Sequence, residues 1–190
     1  MKTTLLSIIV STILLETPVV AFSQDFPVDL QSLRKEKDSW LNPESMEGYT
    51  GAVYSVEEGE IVFKGHLKEG HFHGRYEDYR SKPDSFGSKG YERGTYEEGS
   101  RAGSFEVYSS NGKLLEKGIY LNGVRDGPYS AYHDNMRIWI KTAYLLGRWN
   151  GPYESFDRDG ALVSKGHYRA DSQCGVWVQR GKTIGYPPCK

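Results

Sequence analysis

Hydrophobic positions along this chain fall into two regimes. Leu5 to Leu15 (LLSIIVSTILL) is an unbroken apolar run behind Lys2, and Glu16, Thr17 and Pro18 end it. Beyond it no long apolar run recurs. Short segments rich in Tyr, Phe, Val, Ile and Trp instead alternate with glycine-bearing polar turns. The first regime has the length and flanks of a secretory signal, with cleavage after Ala21 or Ser23, and is too short to span a bilayer. No Cys lies near that point, which disfavours a lipid anchor. The second regime is β-strand patterning, since aromatic and β-branched residues fit a pleated, half-buried surface.

The strand segments repeat. Gly70, Gly99, Gly123, Gly147 and Asp171 are spaced by 29, 24, 24 and 24 residues, and Gly74, Gly103, Gly127, Gly151 and Gly175 follow in the same steps. The five extra residues of the first step fit an insertion around Ser81 to Gly90. Two residues after the second glycine stands an aromatic: Tyr76, Phe105, Tyr129, Tyr153 and Trp177. Three further on come Tyr79, Tyr108, Tyr132 and Phe156, and Arg180 breaks that column. Leu67, Tyr96, Tyr120, Tyr144 and Tyr168 precede the first glycine. The phrases Gly59 to Gly65, Gly112 to Gly118 and Gly160 to Gly166 are versions of G-x-L-x-x-K-G. Gly51, Val53 and Val56 mark a partial unit ahead of the array.

Each unit reads as a β-hairpin. Asn111-Gly112, Asn122-Gly123 and Asp159-Gly160 tolerate positive φ at tight turns, and Pro128 and Pro152 sit where a strand start can spare an N–H. The two aromatics after the second glycine are three apart, so either a bulge intervenes or the sheet carries rings on both faces. A lone hairpin is marginal in water, and stacking makes an array stable. The expected fold is therefore all-β, an elongated single-layer antiparallel sheet of tandem hairpins. It divides into a signal peptide (1–23), an N-terminal capping segment (24–47), repeats (48–181) and a tail (182–190). Within residues 28 to 41, Leu30, Leu33, Trp40 and Leu41 stand at roughly helical spacing ahead of Pro43, which predicts a short capping helix.

Composition narrows the function. Loss of residues 1–23 removes Lys2 and Glu16, one base and one acid. That leaves 23 Lys+Arg against 24 Asp+Glu, a net charge of −1. Such a surface has no electrostatic footprint for nucleic acid or an anionic membrane. Cys174 and Cys189, the two cysteines, are expected to bridge in an oxidising compartment, closing a loop worth about 3 kcal/mol.

Candidate chemistry is sparse. His66, His71 and His73 cluster in the first full repeat, but no acidic or thiolate ligand stands in register, and a solvated surface cluster is the plainer reading. Glu154, Asp157 and Asp159 lie close together, as glycoside hydrolysis would need, yet they border a hairpin turn where Asp is ordinary. No nucleophile elbow, phosphate loop, dinucleotide fingerprint or zinc-ribbon spacing is present, and no catalytic residue or cofactor is expected. The column Tyr79, Tyr108, Tyr132 and Phe156 is the candidate exposed binding surface, for a protein or for stacked sugar rings. An unpaired terminal strand would also allow association between copies.

The segment Phe63-Lys64-Gly65-His66-Leu67-Lys68-Glu69-Gly70-His71-Phe72-His73-Gly74 resembles the MORN repeat pattern Y-x-G-x-W-x-x-G-x-x-H-G, with Leu67 in an aromatic place. Gly118 to Tyr132 (GIYLNGVRDGPYSAY) looks like the bacterial variant of that repeat, found in proteins often labelled as antitoxins. The resemblance covers about residues 48 to 181. It implies an elongated, curved antiparallel sheet that serves as a scaffold for differing partners. Together with the leader, it points to an exported scaffold that binds a protein at the envelope or outside the cell. Alternatives are a periplasmic immunity-like protein and a glycan-binding or glycan-processing protein. Neutralising a cytoplasmic toxin conflicts with an export signal.

Overall fold

A computed structural model describes residues 26–80 and 90–190. The expected leader (1–23) and the insertion at 81–89 lie outside the described residues. The first strands are β1 (Val28–Asp29), β2 (Arg34–Glu36), β3 (Ser39–Leu41), β4 (Gly51–Glu57), β5 (Glu60–Lys68), β6 (His71–Phe72) and β7 (Gly74–Asp78). Next come β8 (Tyr91–Glu97), β9 (Ser100–Tyr108), β10 (Leu114–Leu121), β11 (Val124–Arg125), β12 (Gly127–Tyr132) and β13 (Ile138–Leu145). The last are β14 (Arg148–Trp149), β15 (Gly151–Phe156), β16 (Leu162–Arg169), β17 (Ser172–Gln179) and β18 (Lys182–Gly185).

All but β2 and β3 join one sheet, in the path β1-β4-β5-β7-β8-β9-β10-β12-β13-β15-β16-β17-β18, with the short β6, β11 and β14 off it, paired to β5, β10 and β13. From β4 onward every pairing is antiparallel and between chain neighbours, so this is the elongated single-layer hairpin array that the period predicts.

Turn chemistry explains the first glycine column. Glu69-Gly70, Glu98-Gly99, Asn122-Gly123 and Leu146-Gly147 each place two successive residues at positive φ, and Ala170-Asp171 does so without glycine. Paired positive φ is the mark of the I′ turn, whose twist suits flanking strands. The same residues tie one repeat to the previous one. The N–H of Gly99, Gly123, Gly147 and Asp171 donates to the carbonyl of Phe72, Arg101, Arg125 and Trp149 respectively. The recurring residue is thus needed for its φ and for its N–H, and Asp171 can supply both.

The two faces of the sheet differ. On the packed face, Phe63, Tyr76, Phe105 and Trp177 are almost fully buried and Tyr129 nearly so. They interleave with the ring column ahead of the turns: Phe105 with Tyr120 at 4.5 Å, Tyr129 with Tyr144 at 5.2 Å, Trp177 with Tyr168 at 5.1 Å. The glycine closing each G-x-L-x-x-K-G phrase is the floor beneath a ring. A Cβ on Gly118 would lie 2.7 Å from the Phe105 ring, and one on Gly166 would lie 2.2 Å from Trp177. In the fourth unit Thr142 holds that place, buried, with its hydroxyl lacking a partner.

The N-terminal segment is not the helix that its spacing predicts. Leu30–Ser32 form one 3-10 turn, and β2 and β3 make a small hairpin whose turn puts Lys37 at positive φ. The reason lies at the sheet edge, where β4 presents unpaired backbone groups that a helix could not satisfy. Val28 and Asp29 pair in parallel with Val53 and Tyr54, and the Gln31 side chain donates to the Val56 carbonyl. Leu30 and Leu33 still reach the core, packing with Val53, Phe63, Leu67 and Tyr76, while Trp40 lies half-buried against them.

At the far edge, Cys174 and Cys189 form the expected disulfide across 15 residues. The tail folds back on β17 as well. Gly175 N–H donates to the Pro187 carbonyl, Tyr186 N–H donates to Gly175, and the Tyr186 ring meets Trp177 at 6.2 Å. Among the described residues no helix is long and apolar enough to cross a membrane.

Candidate functional site

The face opposite the packed rings is the candidate site. Its middle row runs straight across the sheet by register: Tyr54, Lys64, Glu77, Arg93, Glu106, Lys117, Ser130, Lys141, Glu154, Lys165 and Val178. The cations are the lysine column of the repeat phrase, and the acids stand one residue after the packed aromatic. Alternating charge directly across strands is favourable. Lys64 meets Glu77 at 3.7 Å, Arg93 meets Glu106 at 2.7 Å and Lys165 meets Glu154 at 2.9 Å.

The candidate column Tyr79, Tyr108, Tyr132 and Phe156 lies on this open face beside the charge row, and all four are half-buried. Of the two alternatives raised by the three-residue spacing, the second holds: rings occupy both faces, and the extra residue at each register shift (Leu115, Trp139 and Val163) lies on the facing strand, not between the two aromatics. The rings are already engaged. Tyr91, not read as part of the column, packs between Tyr79 (5.4 Å) and Tyr108 (5.2 Å, nearly parallel). Lys64, Arg93 and Lys117 lie 5.5, 4.7 and 5.9 Å from the centroids of Tyr79, Tyr108 and Tyr132.

Hydroxyls join the ladder too. Tyr79 donates to Glu77 at 2.6 Å, and this bond, with burial, pushes its pKa up to about 12. Tyr108 donates to Glu106 at 2.9 Å; burial first and then that bond raise its pKa. Glu106 is held below the usual carboxylate range by the Arg93 guanidinium.

Beyond the ladder the open face divides along its length. Over the first repeats lies a groove of about 1050 Å³, lined among others by Tyr54, Lys64, His66, Arg75, Glu77 and Arg93, with Phe26 and Pro27 contributing. Over the third and fourth repeats the same face turns apolar. Ile119, Leu121, Val124 and Leu145 are 38 to 54% exposed, and Leu146 is 73% exposed. Equivalent positions in the other repeats carry polar residues: Lys68 and His71, Glu97 and Ser100, Arg169 and Ser172.

On the packed face sits a polar feature that the repeat columns hid. Two residues past the first glycine the chain carries Phe72, Arg101, Arg125, Trp149 and Gln173, so two arginines take places that neighbouring repeats give to rings. Arg101 bridges buried Asp78 and Glu92 at 3.3 Å each, and the Tyr76 hydroxyl donates to Glu92. Burial and Glu92 drive the Tyr76 pKa far above the ordinary tyrosine value. Arg125 lies 5.0 to 5.7 Å from the rings of Phe105, Tyr129 and Tyr144 and pairs with Glu116 at 2.9 Å. A cation enclosed by ring faces and paired to an acid is a packing element here, since desolvated guanidinium gains from both. Two arginines in places that other repeats fill with Phe72 and Trp149 are the signal available in sequence.

The remaining candidates separate. His71 Nε2 lies 3.2 Å from the Ser39 hydroxyl, while His66 and His73 are exposed and joined through their backbones. Among the described residues no group of three His, Cys, Asp or Glu side chains converges as a metal site would require. Glu154 is ion-paired in the ladder, whereas Asp157 Oδ1 accepts the N–H of Asp159 and of Ala161 at 2.9 and 2.8 Å, as an Asx turn does. These acids therefore have unrelated duties. No protein-family model matches the chain, and no curated protein matches it.

Proposed function

We propose that the chain is an exported, MORN-type repeat scaffold whose open face binds a protein partner. The observation that carries this reading is the contrast between the faces. One is filled by the chain's own rings, with the N-terminal segment closing its first repeats. The other leaves Ile119, Leu121, Val124, Leu145 and Leu146 in solvent, in two adjacent repeats whose siblings are polar there. A contiguous exposed apolar patch rimmed by polar residues is the mark of an interaction surface. Export is supported by the apolar run at Leu5 to Leu15 and by the Cys174–Cys189 bridge, which an oxidising compartment sustains. The resemblance to MORN repeats agrees with scaffolding, since such arrays present one long surface.

Sugar stacking is less well supported, because Tyr79, Tyr91 and Tyr108 already lie against one another and against cations. The test is crosslinking in the native host from a photoreactive residue at position 145, with a second at the half-buried position 144 on the packed face. A discrete adduct from position 145 alone supports the reading. Adducts from neither position, or equally from both, refute it.

A further inference from the structure

The repeats serve as controls for one another. The cation place reads Lys64, Arg93, Lys117, Lys141 and Lys165; the acid place reads Glu77, Glu106, Ser130, Glu154 and Val178. Inside the row one acid is missing, at Ser130, and register sets Lys117 directly on one side of it and Lys141 on the other. Glu106 is taken by Arg93 and Glu154 by Lys165. Lys117 and Lys141, both exposed, form no salt bridge with an acid among the described residues; Lys117 helps Arg93 hold the Glu106 carboxyl low from across the strand and lies over the Tyr132 ring without closing an ion pair. Their strands are two spacings apart, roughly 9–10 Å, so one carboxylate centred over Ser130 is within reach of both ammonium groups. The Ser130 hydroxyl can donate a third bond to it.

Flanking residues add to this. One step along the strand from Ser130 is Pro128, paired with Ala143, with Ile119 lying against Gly127. One step the other way is Tyr132, paired with Ile138. An acid over Ser130 with an apolar side chain two residues to each side would meet cations at its centre and apolar surface at both ends. An anionic sugar chain would leave those ends bare, and apolar flanks favour a polypeptide.

We infer that Ser130, with Lys117 and Lys141, is the docking point for an Asp or Glu on an extended segment of the partner protein, which completes the charge ladder in trans. This rests on the reading of the open face as a protein-binding surface. It adds what the partner must carry: an acidic residue with apolar neighbours at the second position on either side.

The probe is the peptide acetyl-Val-Thr-Glu-Thr-Tyr-amide, with a twin carrying Gln for Glu, titrated into the isotope-labelled protein and followed by amide resonances. The Glu peptide is expected to move Lys117, Ser130, Tyr132 and Lys141 and to bind at least fivefold tighter than its twin at low salt, with the difference shrinking as salt rises. Ser130→Glu supplies the missing acid in cis. It should abolish the response while raising Tm, because two cross-strand pairs form; Ser130→Ala should leave binding within about threefold. Equal binding of the twins, undiminished binding to Ser130→Glu, a lower Tm for that variant, or stronger displacement of the same resonances by oligogalacturonate would each overturn the inference.

The host crosslinking experiment separates this inference from the broader reading. A partner captured equally by wild type and Ser130→Glu refutes the docking point and leaves the scaffold reading standing. A partner lost from Ser130→Glu alone supports both.

Discussion

Replacing Gly118 by Ala tests whether glycine is the floor of the ring stack. Gly118 has no left-handed backbone angle, so alanine brings no φ strain. In a strand it would ordinarily stabilise by about 0.5–1 kcal/mol. Against that gain, its Cβ would lie 2.7 and 3.0 Å from Phe105 Cε1 and Cζ and 3.4 Å from Tyr129 Cδ2. Phe105 cannot easily retreat. It is 1% exposed, with Tyr120 at 4.5 Å and the Arg125 guanidinium at 5.0 Å. Overpacking of a confined site costs about 1–3 kcal/mol, so the net loss is about 1–2 kcal/mol. For a chain of this size that lowers Tm by roughly 2–8 °C.

Urea unfolding followed by near-ultraviolet circular dichroism, with the disulfide intact, gives the midpoint and slope. Gly185→Ala is the control, because a Cβ there meets nothing within 4 Å. Its stability should stay within about 0.5 kcal/mol of wild type. Phe105→Leu in the Gly118→Ala background should lose less than in wild type, with coupling of at least about 0.5 kcal/mol. If Gly118→Ala is as stable as Gly185→Ala, the glycine column has another cause.

Thr142→Val keeps the shape of the fourth unit and removes its partnerless buried hydroxyl; calorimetry should show a gain of about 1 kcal/mol. Leu146→Asn should stabilise by about 1 kcal/mol in chemical denaturation, since leucine sits at φ 51° in a turn where Asn122 holds the same place two dozen residues earlier. In alkali, Tyr76, Tyr79, Tyr108, Tyr129 and Tyr153 have pKa values raised above the ordinary 10.0, that of Tyr79 to about 12. The unfolded chain then ionises first, so stability is full below pH 10 and falls as pH climbs past it. Tyrosinate absorbance should lag free tyrosine and rise together with loss of the fold; independent titration near pH 10 would contradict the packing described.

The period, the turns and the packed ring columns were legible in sequence because each is fixed by a local requirement. Positive φ selects the Gly70 column, and ring burial selects the Tyr76 and Tyr96 columns. The N-terminal segment was misread because Leu30, Leu33 and Trp40 fit helical spacing, while the unpaired edge of β4, a feature of the assembled sheet, selects extended backbone. Tyr91 is not legible in sequence because it adjoins the insertion that breaks the period, and its role depends on lying between Tyr79, just past β7, and Tyr108 of β9. The charge ladder was half visible in the lysine of the repeated phrase. Its acids come from the neighbouring strand, so alternation appears only once register is known.

The turn-to-turn tie gives the array an interchangeable joint. From Gly99 onward each turn N–H seeks the equivalent carbonyl in the unit before it, whereas Gly70 donates to Tyr49 ahead of the array. Deleting residues 119–142, one whole unit, would therefore splice Gly118 to Ala143 without changing the geometry of the seam. In that shortened chain Lys117 would inherit Glu154 as its cross-strand neighbour, and the row of charges would close on itself. On the docking point proposed above, an incoming acid would then have no place to enter, so one block of sequence would set both the length of the array and its capacity to recruit.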